Sequence, residues 1–246
     1  MGIDVYNEFF LLVDEWHVLF TSYVFRNLTV KEVLRTAPLF NEVTYMTATP
    51  IEEEYIFKEI MHFPVKEVVW PNMKEIRVKE VQTARSIQCI GNAIQKYLNG
   101  QAFGNMHIFV NSVQFIAKVI KQYQLSPDDV KVVCALNDNN QNKLGKKYPI
   151  SKPLDPVKKI NFYTSTCFEG CDIYDEDGKT YIVSDGYRVN SLLDIATLFI
   201  QICGRIRNSK YNDMFTYIFS PTRYDGNISL DEFKQTCKDE YARSNK

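Results

Sequence analysis

The sequence has 246 residues, of which 45% are hydrophobic and 24% are charged, and its formal net charge is −1. A chain of this length holds one large domain or two small ones, and the composition is that of an ordinary globular protein. Because the net charge is close to zero, a general electrostatic attraction to nucleic acid or membrane is excluded, and a nucleic-acid site has to be a local groove. No apolar run reaches membrane-spanning length.

The six cysteines lie mostly in apolar runs, as small buried residues do. No Cys-x-x-Cys pair occurs and the chain has only three histidines, so the cysteine pattern disfavours a zinc site. The start of the sequence lacks the basic region of a signal peptide. We therefore expect a reduced, cytoplasmic chain with no membrane partner.

Two short apolar strands near the start each end in polar side chains. Phe9–Val13 predicts a strand buried in a parallel sheet, and Asp14–Glu15 follow at its carboxyl end, where open α/β sheets bind ligands. Val43–Met46 predicts a second strand, followed by the hydroxyls of Thr47 and Thr49. The alternatives are a solvated strand end for the acidic pair and simple turn chemistry for the threonines.

The segment between these strands and the next α/β unit has a mixed pattern. Leu28–Leu34 and Glu52–Met61 predict helices, whereas Val65–Trp70 and Ile76–Val81 predict strands that connect two lobes. Trp70 is either a platform for base stacking or a half-buried packing residue.

A second α/β unit begins near Thr83. Its alternation of strands and helices predicts a parallel sheet with right-handed crossovers. Asp175–Gly178 predicts a hairpin turn, and the Asn- and Lys-rich segment Asn137–Lys159 predicts a mobile surface loop. The predicted strands are Met106–Val110, Val130–Leu136, Ile160–Tyr163, Thr180–Ser184 and Met214–Phe219, and the predicted helices are Ile87–Leu98, Val113–Tyr123, Ser191–Ile202 and Leu230–Ala242.

Two further segments carry chemistry. Thr164–Thr166 supply hydroxyls and turn amides of the kind that hold a sugar–phosphate backbone, and Gly170 permits close approach or a positive φ. Gln201, Arg205 and Arg207 lie at the end of an apolar run predicted to be helical, and two close guanidiniums suit a phosphate. The alternative for the arginines is a solvated helix end that favours the negative C-terminal dipole.

Four segments, taken in their order along the chain, resemble the C-terminal run of signatures of superfamily 2 helicases of the DExH type. Asp14-Glu15-Trp16-His17 is similar to the Walker B box, and Thr47-Ala48-Thr49 to the S/T-A-T box. Thr164 to Asp172 is similar to the T-x5-G-x-D box, and Gln201 to Arg207 to the arginine box. The resemblance covers nearly the whole chain. It implies a RecA-like parallel sheet flanked by helices, with residues 1–82 as a remnant of the N-terminal lobe and residues 83–246 as the C-terminal lobe.

The resemblance also implies roles for individual residues around ATP and Mg²⁺. Asp14 holds Mg²⁺ through water, Glu15 orients or deprotonates the attacking water, and the arginines stabilise charge on the γ-phosphate. Asp172 faces the ribose and the arginine box, whereas Thr47 and Thr49 couple the lobes. The implied catalytic set is Glu15, Gln201, Arg205 and Arg207, the nucleotide-binding set is Asp14, Glu15, His17, Gly170, Asp172, Gln201 and Arg205, and the metal set is Asp14 and Glu15.

Nucleic acid, single-stranded or duplex, is the partner that the resemblance implies, with DNA favoured over RNA. The implied contacts are Asn111, Ser112, Thr164, Ser165 and Thr166. Asn111 and Ser112 are also a natural N-cap for the helix that follows them, and the two interpretations are compatible.

The sequence departs from the family pattern in two ways. The usual last box is G-R-x-G-R, but here it is Gly204-Arg205-Ile206-Arg207-Asn208, a shorter form similar to that of herpesvirus origin-binding and some phage helicases. Either Arg205 or Arg207 is therefore the candidate arginine finger. No G-x-x-x-x-G-K-[ST] occurs, and only thirteen residues precede Asp14.

We therefore interpret the chain as the C-terminal part of an ATP-dependent helicase or translocase that needs a Walker A portion or partner chain. An expressed fragment, a split-gene product and a decayed copy all fit this interpretation. The alternative function is a nucleic-acid-binding or regulatory module that does not hydrolyse ATP.

Overall fold

The computed structural model describes residues 4–21, 23–53, 56–69, 71, 75–186, 188–220 and 227–244. The chain forms two compact units: unit 1 comprises residues 1–75 and 194–204, and unit 2 comprises residues 76–193 and 205–246. The boundary expected after residue 82 thus falls within unit 2, and a late segment of the chain belongs to unit 1. Trp70 lies outside the described residues, so base stacking by this side chain stays a prediction.

Unit 1 is built around two short parallel strands. Strands β1 (Leu11–Val13) and β2 (Val43–Tyr45) pair in parallel, with Leu11 opposite Val43. A small core lies beside them, in which Val30, Leu34 and Ile60 are buried against aromatic side chains that include the stacked pair Phe20 and Phe57. The helices of this unit are α1 (Val5–Glu8), α2 (Val18–Thr21), α3 (Tyr23–Thr36) and α7 (Ile200–Cys203).

Two helix predictions in unit 1 need correction. The helix expected at Leu28–Leu34 is part of the longer α3, which is interrupted at Arg26, where φ is −131°. The helix expected at Glu52–Met61 is wrong for its described residues, which form turns such as the one closed by the Ile60 amide and the Phe57 carbonyl at 3.0 Å. The apolar side chains of this segment pack into the small core, and this packing overrides helix propensity.

The helix expected at Ser191–Ile202 also differs. Residues 192–194 are not helical, and a π-helical turn at Ile195–Phe199 precedes α7. The turn begins where it does because the Asp194 carboxylate accepts a hydrogen bond from the Ala196 amide at 3.1 Å, which satisfies a donor at the start of the helix.

Unit 2 contains a six-stranded sheet in which every neighbouring pair is parallel, which confirms the predicted RecA-like α/β class. The strand order is β3-β8-β7-β4-β6-β5. The hairpin expected at Asp175–Gly178 is wrong: the segment is a turn, but β7 after it runs parallel to β4. The strands are β3 (Arg77–Gln82), β4 (Asn105–Phe109), β5 (Val130–Val133), β6 (Ile160–Tyr163), β7 (Gly178–Ser184) and β8 (Met214–Phe219).

Helices α4 (Ser86–Leu98) and α5 (Val113–Gln122) bury their apolar faces against the sheet. Helix α5 begins where Ser112 accepts a hydrogen bond from the Phe115 amide at 3.2 Å, and α4 is followed by Gly100 at φ +71°. Helices α6 (Asp138–Leu144) and α8 (Leu230–Ser244) complete the described part of the unit. None of the helices in the described ranges is long and apolar enough to cross a membrane.

The segment Asn137–Lys159, predicted to be a mobile loop, is held in place. Its first part is helix α6, because Asn137 accepts a hydrogen bond from the Asn140 amide at 2.9 Å and Gly145 at φ +84° ends the helix. Its last part is held by Lys158, whose ammonium donates to the carbonyls of Pro127 at 2.7 Å and Val130 at 3.2 Å. Lys158 thus satisfies backbone acceptors of the neighbouring segment.

Strand β4 carries a buried histidine, His107. The Nε2 atom of His107 is 2.8 Å from the carboxylate of Asp175, and its Nδ1 atom is 3.1 Å from the hydroxyl of Tyr163. Burial lowers the pKa of His107 below its ordinary value of 6.5, and the contact with Asp175 offsets only part of this effect. Although burial acts in the opposite direction, hydrogen bonds from His107 and Asn105 hold the pKa of Asp175 below 3.8.

This arrangement predicts acid sensitivity. The stability that neutral His107 contributes should be fully present above pH 6.5 and should fall as the pH drops through the lowered pKa of the folded protein. We expect the free energy of unfolding in urea to decrease between about pH 7 and about pH 5 by more in the wild-type protein than in His107→Gln. Equal pH dependence in the two proteins would contradict this assignment.

Candidate functional site

The parallel pairing of β1 and β2 places their carboxyl ends at one edge of unit 1. The link between the ends is the Trp16 amide, which donates to the carbonyl of Met46 at 3.0 Å. Glu15 has φ of +49°, a left-handed backbone that non-glycine residues adopt at a cost. The predicted acidic pair is therefore held in a tight turn directly beside the predicted threonine segment.

His17 is the centre of this edge. Its side chain is fully buried, and its Nδ1 atom lies 2.7 Å from the hydroxyl of Thr47, 3.3 Å from that of Thr49 and 3.3 Å from the Glu15 carboxylate. A ring nitrogen carries at most one hydrogen, so Nδ1 is the donor in at most one of these contacts. The imidazole thus gathers two hydroxyls and a carboxylate around one polar atom.

Gln201 joins the same group from a distant part of the chain. Its buried side-chain amide donates to both Glu15 oxygens, at 3.3 and 3.4 Å, and lies 3.4 Å from the Thr49 hydroxyl. Helix α7 carries the glutamine, and the π-helical turn before it sets its position. Residues from three predicted boxes therefore form one hydrogen-bonded cluster, which we call the His17 cluster: Glu15, His17, Thr47, Thr49 and Gln201.

Asp14 lies at the rim of the His17 cluster. Its side chain is exposed, and its Oδ1 atom accepts a hydrogen bond from the Glu15 amide at 2.9 Å. This contact orients the carboxylate of an exposed side chain.

The arginine box is divided between the two units. Helix α7 ends at Cys203, and the residues after Gly204 belong to unit 2, so both arginines lie beyond the end of the helix. Ile206 instead forms a parallel bridge with Ile173, which ties the arginine segment to the loop after β6. This pairing fixes where the side chains before and after Ile206 lie.

The two arginines have different environments. Arg205 is buried, and its guanidinium donates to the carbonyl of Cys171 at 3.3 Å. Arg207 is 46% exposed and forms an ion pair with Asp172 at 2.6 Å. Because the pair is exposed, its net contribution to stability is small, on the order of 0 to 1 kcal/mol. The contact joins the arginine segment to the loop after β6.

A pair of cysteines lies beside Arg205, and the sequence pattern did not indicate this neighbourhood. Cys167 and Cys171 are both buried and lie four positions apart in the loop after β6. The hydrogen bond from Cys167 lowers the pKa of Cys171 to about 7 against the effect of burial, and the charge of Arg205 lowers it further. The spacing Cys-x3-Cys in the predicted loop was the available signal, but it does not reveal an adjacent guanidinium.

The predicted nucleic-acid residues lie at the carboxyl ends of the neighbouring strands β4 and β6. Asn111 connects three segments, since it accepts from the Ser165 amide at 3.3 Å and donates to the Asn190 carbonyl at 2.8 Å. Thr164 is buried with its hydroxyl 2.9 Å from that of Thr166, whereas Ser165 and Thr166 are exposed. Ser112 caps α5, as its position suggested. Gly170 has φ of +63° and shapes the loop that follows.

Solved structures with a similar fold include two that hold a nucleic acid. S. cerevisiae Dbp5 bound to RNA and ADP–BeF3 matches with a TM-score of 0.50 and 13% identity over 93% of this chain and 56% of the Dbp5 chain. The Mycobacterium smegmatis helicase Lhr bound to ssDNA and AMP-PNP matches with a TM-score of 0.51 and 13% identity over 87% of this chain and 28% of the Lhr chain.

The chain therefore spans little more than half of Dbp5 and about a quarter of Lhr. At this identity the likeness shows the fold alone, which is a RecA-like parallel α/β fold. No family model matches the sequence. No curated protein is significantly similar to it.

The cysteine pair supplies a test of the geometry around Arg205. We expect the rate of Cys171 alkylation by iodoacetamide, followed by peptide mass spectrometry, to rise with a midpoint below that of an ordinary thiol, because Cys167 and the charge of Arg205 lower the pKa of Cys171. Cys167→Ala removes the hydrogen bond and should move the midpoint upward, whereas Cys203→Ala serves as the matched control. A native midpoint close to the ordinary thiol value would contradict the described contacts.

Proposed function

We propose that this chain is the C-terminal part of an ATP-dependent nucleic-acid helicase or translocase of superfamily 2. The observation that carries the proposal is the His17 cluster, in which Gln201 contacts Glu15 across 186 positions of sequence. Residues from three predicted helicase boxes meet there at the carboxyl ends of parallel strands, where α/β sheets bind ligands. The RecA-like fold of unit 2 supports the same assignment.

The rim of the His17 cluster suits a nucleotide with Mg²⁺. No group of three or more Asp, Glu, His or Cys side chains forms a metal site among the described residues. Mg²⁺ does not need one, because it is commonly held by one or two carboxylates together with water and substrate phosphates. Asp14, with its carboxylate fixed by the Glu15 amide, is the residue that would hold the ion through water.

In the proposed reaction Glu15 orients and deprotonates the water that attacks the γ-phosphate. Gln201 donates to both of its oxygens, which holds the carboxylate in one direction. The buried His17 and the hydroxyl of Thr49 fix the surrounding groups, so that little reorganisation is needed during the reaction. Bound ATP supplies the phosphates on which these residues act.

The arginine box contributes cationic charge to phosphoryl transfer. Arg205 and Arg207 are the candidates for stabilising charge on the γ-phosphate, a role worth several orders of magnitude in other NTPases. Arg205 is fixed by burial and by the Cys171 carbonyl, and Arg207 by its ion pair with Asp172. The fixed geometry of Arg205 makes it the better candidate finger, because a pre-organised guanidinium loses less entropy on binding phosphate.

A further segment of polypeptide is proposed to complete unit 1. Parallel strands are normally covered on both faces, yet β1 and β2 form a sheet of two strands with exposed apolar residues around them. Phe10 is 76% exposed and Leu12 is 57% exposed. A segment that carries a Walker A loop, in the same polypeptide or in a second chain, would pair with these strands and supply the phosphate-binding amides.

The first prediction of the proposed function concerns hydrolysis. In an assembly that supplies the Walker A segment, Glu15→Gln and Arg205→Ala should each lower the kcat for strand-stimulated ATP hydrolysis by about 100-fold or more. The substitutions remove the water-orienting charge and the phosphate-stabilising charge. Glu42→Gln and Arg35→Ala are matched controls, since both residues are exposed in unit 1. Normal turnover in either site variant would refute the assigned roles.

A second prediction concerns the strand-binding loops. Asn111→Ala removes the side chain that connects Ser165 with Asn190, so we expect the affinity for a fluorescent single-stranded oligonucleotide to fall roughly tenfold at constant salt. Asn140→Ala, which alters the start of α6, is the control. Strand binding that depends on Asn111 without any ATP hydrolysis in the completed assembly would favour the non-hydrolysing binding module instead.

A further inference from the structure

A basic groove lies at the end of the unit 2 sheet that is opposite to the loops after β4 and β6. It has a volume of about 360 Å³ and opens at the amino ends of β3, β7 and β8. All six strands are parallel, so this end is remote from the carboxyl ends that carry Asn111 and Thr164. The lining side chains that matter for its chemistry are Arg77, Lys79, Lys179, Tyr181, Tyr211 and Thr216.

The charge of the groove is entirely positive. Three cationic residues line it and no acidic residue does, although the whole chain has a net charge of −1. Among the described residues none of the three cations forms a salt bridge, whereas nearby Lys210 is paired with Asp177 at 3.2 Å. Glu80 follows Lys79 on β3, but successive side chains of a strand point to opposite faces. The groove therefore has positive charge available for an anionic ligand.

Tyrosines form the second element of the groove. The Lys179 ammonium lies 4.6 Å from the ring centre of Tyr211 and 5.8 Å from that of Tyr97, whose hydroxyl is 3.1 Å from the hydroxyl of Tyr181. Burial raises the pKa of Tyr97 and of Tyr181, so both hydroxyls remain neutral. Tyr211 is only partly buried and keeps part of its ring at the groove surface.

We propose that the basic groove binds the backbone of single-stranded nucleic acid, as a second contact separate from the loops at the carboxyl end of the sheet. Arg77, Lys79 and Lys179 face the phosphates, and a base stacks against Tyr211. A nucleic-acid strand uses both the cations and the aromatic ring, whereas an acidic peptide uses the cations alone. Binding in the groove requires neither ATP nor the His17 cluster, so it does not depend on the proposed hydrolysis.

The first test is a matched pair of charge reversals. Arg77→Glu with Lys79→Glu changes two exposed residues of the groove, and Lys118→Glu with Lys121→Glu makes the same charge change on the exposed face of α5. The anisotropy of a short fluorescent oligothymidylate is measured without nucleotide at several salt concentrations. We expect the groove variant to bind the oligonucleotide about tenfold more weakly than wild type, and the α5 variant to bind within about twofold of wild type. The slope of log K against log salt concentration should become shallower by about 1.4 in the groove variant, because two phosphate contacts are lost.

The second test locates the strand directly. An oligonucleotide with 4-thiothymidine is crosslinked to the wild-type chain, and we expect the crosslinked peptides to include the Tyr211 region. Melting temperatures control for folding, and Lys79→Gln serves as a milder variant that should weaken binding in the same direction.

Several results would overturn the proposal. These are wild-type chain that does not bind the oligonucleotide, an equal loss in both double variants, an unchanged affinity in the groove variant, and crosslinks confined to the loops at Asn111 and Thr164. If the groove substitutions weakened the binding of an acidic peptide but left the affinity for the oligonucleotide unchanged, the groove would be assigned to a protein partner instead. If Asn111→Ala lowered the affinity for the oligonucleotide and the groove variant did not, the groove would be rejected as a binding site and the proposed function would stand.

Discussion

The candidate site of unit 1 depends on the burial of His17 between two strand ends. Its imidazole brings the hydroxyls of Thr47 and Thr49 and the Glu15 carboxylate to one nitrogen. A buried polar group without partners is costly, so each of these side chains is needed to satisfy the others. Gln201 completes the arrangement by directing its amide at the same carboxylate. The position of Glu15, with its left-handed backbone, follows from this network.

The parallel sheet of unit 2 separates two kinds of surface. The carboxyl ends of β4 and β6 carry backbone amides and hydroxyls, which Asn111 holds together. The amino ends carry cations and tyrosines in a groove without acidic residues. A nucleic-acid strand that contacts both ends of the sheet would be held by independent sets of interactions. This separation has a simple physical origin, because every strand in the sheet has the same direction.

Most of the regular elements of unit 2 could be predicted from the sequence, since their signals are local. Strands β6 and β8 begin and end at the predicted residues, and Ser112 and Gly100 mark the helix ends as their residue types indicate. The predictions failed where packing or a single cap decides the outcome. Asn137 begins a helix inside the supposed loop, and the apolar side chains around Phe57 form turns instead of a helix.

The sequence by itself determined which residue types are present at the strand ends, the four helicase-like boxes and the parallel α/β class. Only the tertiary structure decided that Gln201 belongs with Glu15 while Arg205 contacts the Cys171 carbonyl, although the two residues are four positions apart. It also decided that Arg77, Lys79 and Lys179 share one groove. These relations depend on contacts between segments distant in sequence, and such contacts are set by strand pairing and burial, which local patterns do not encode.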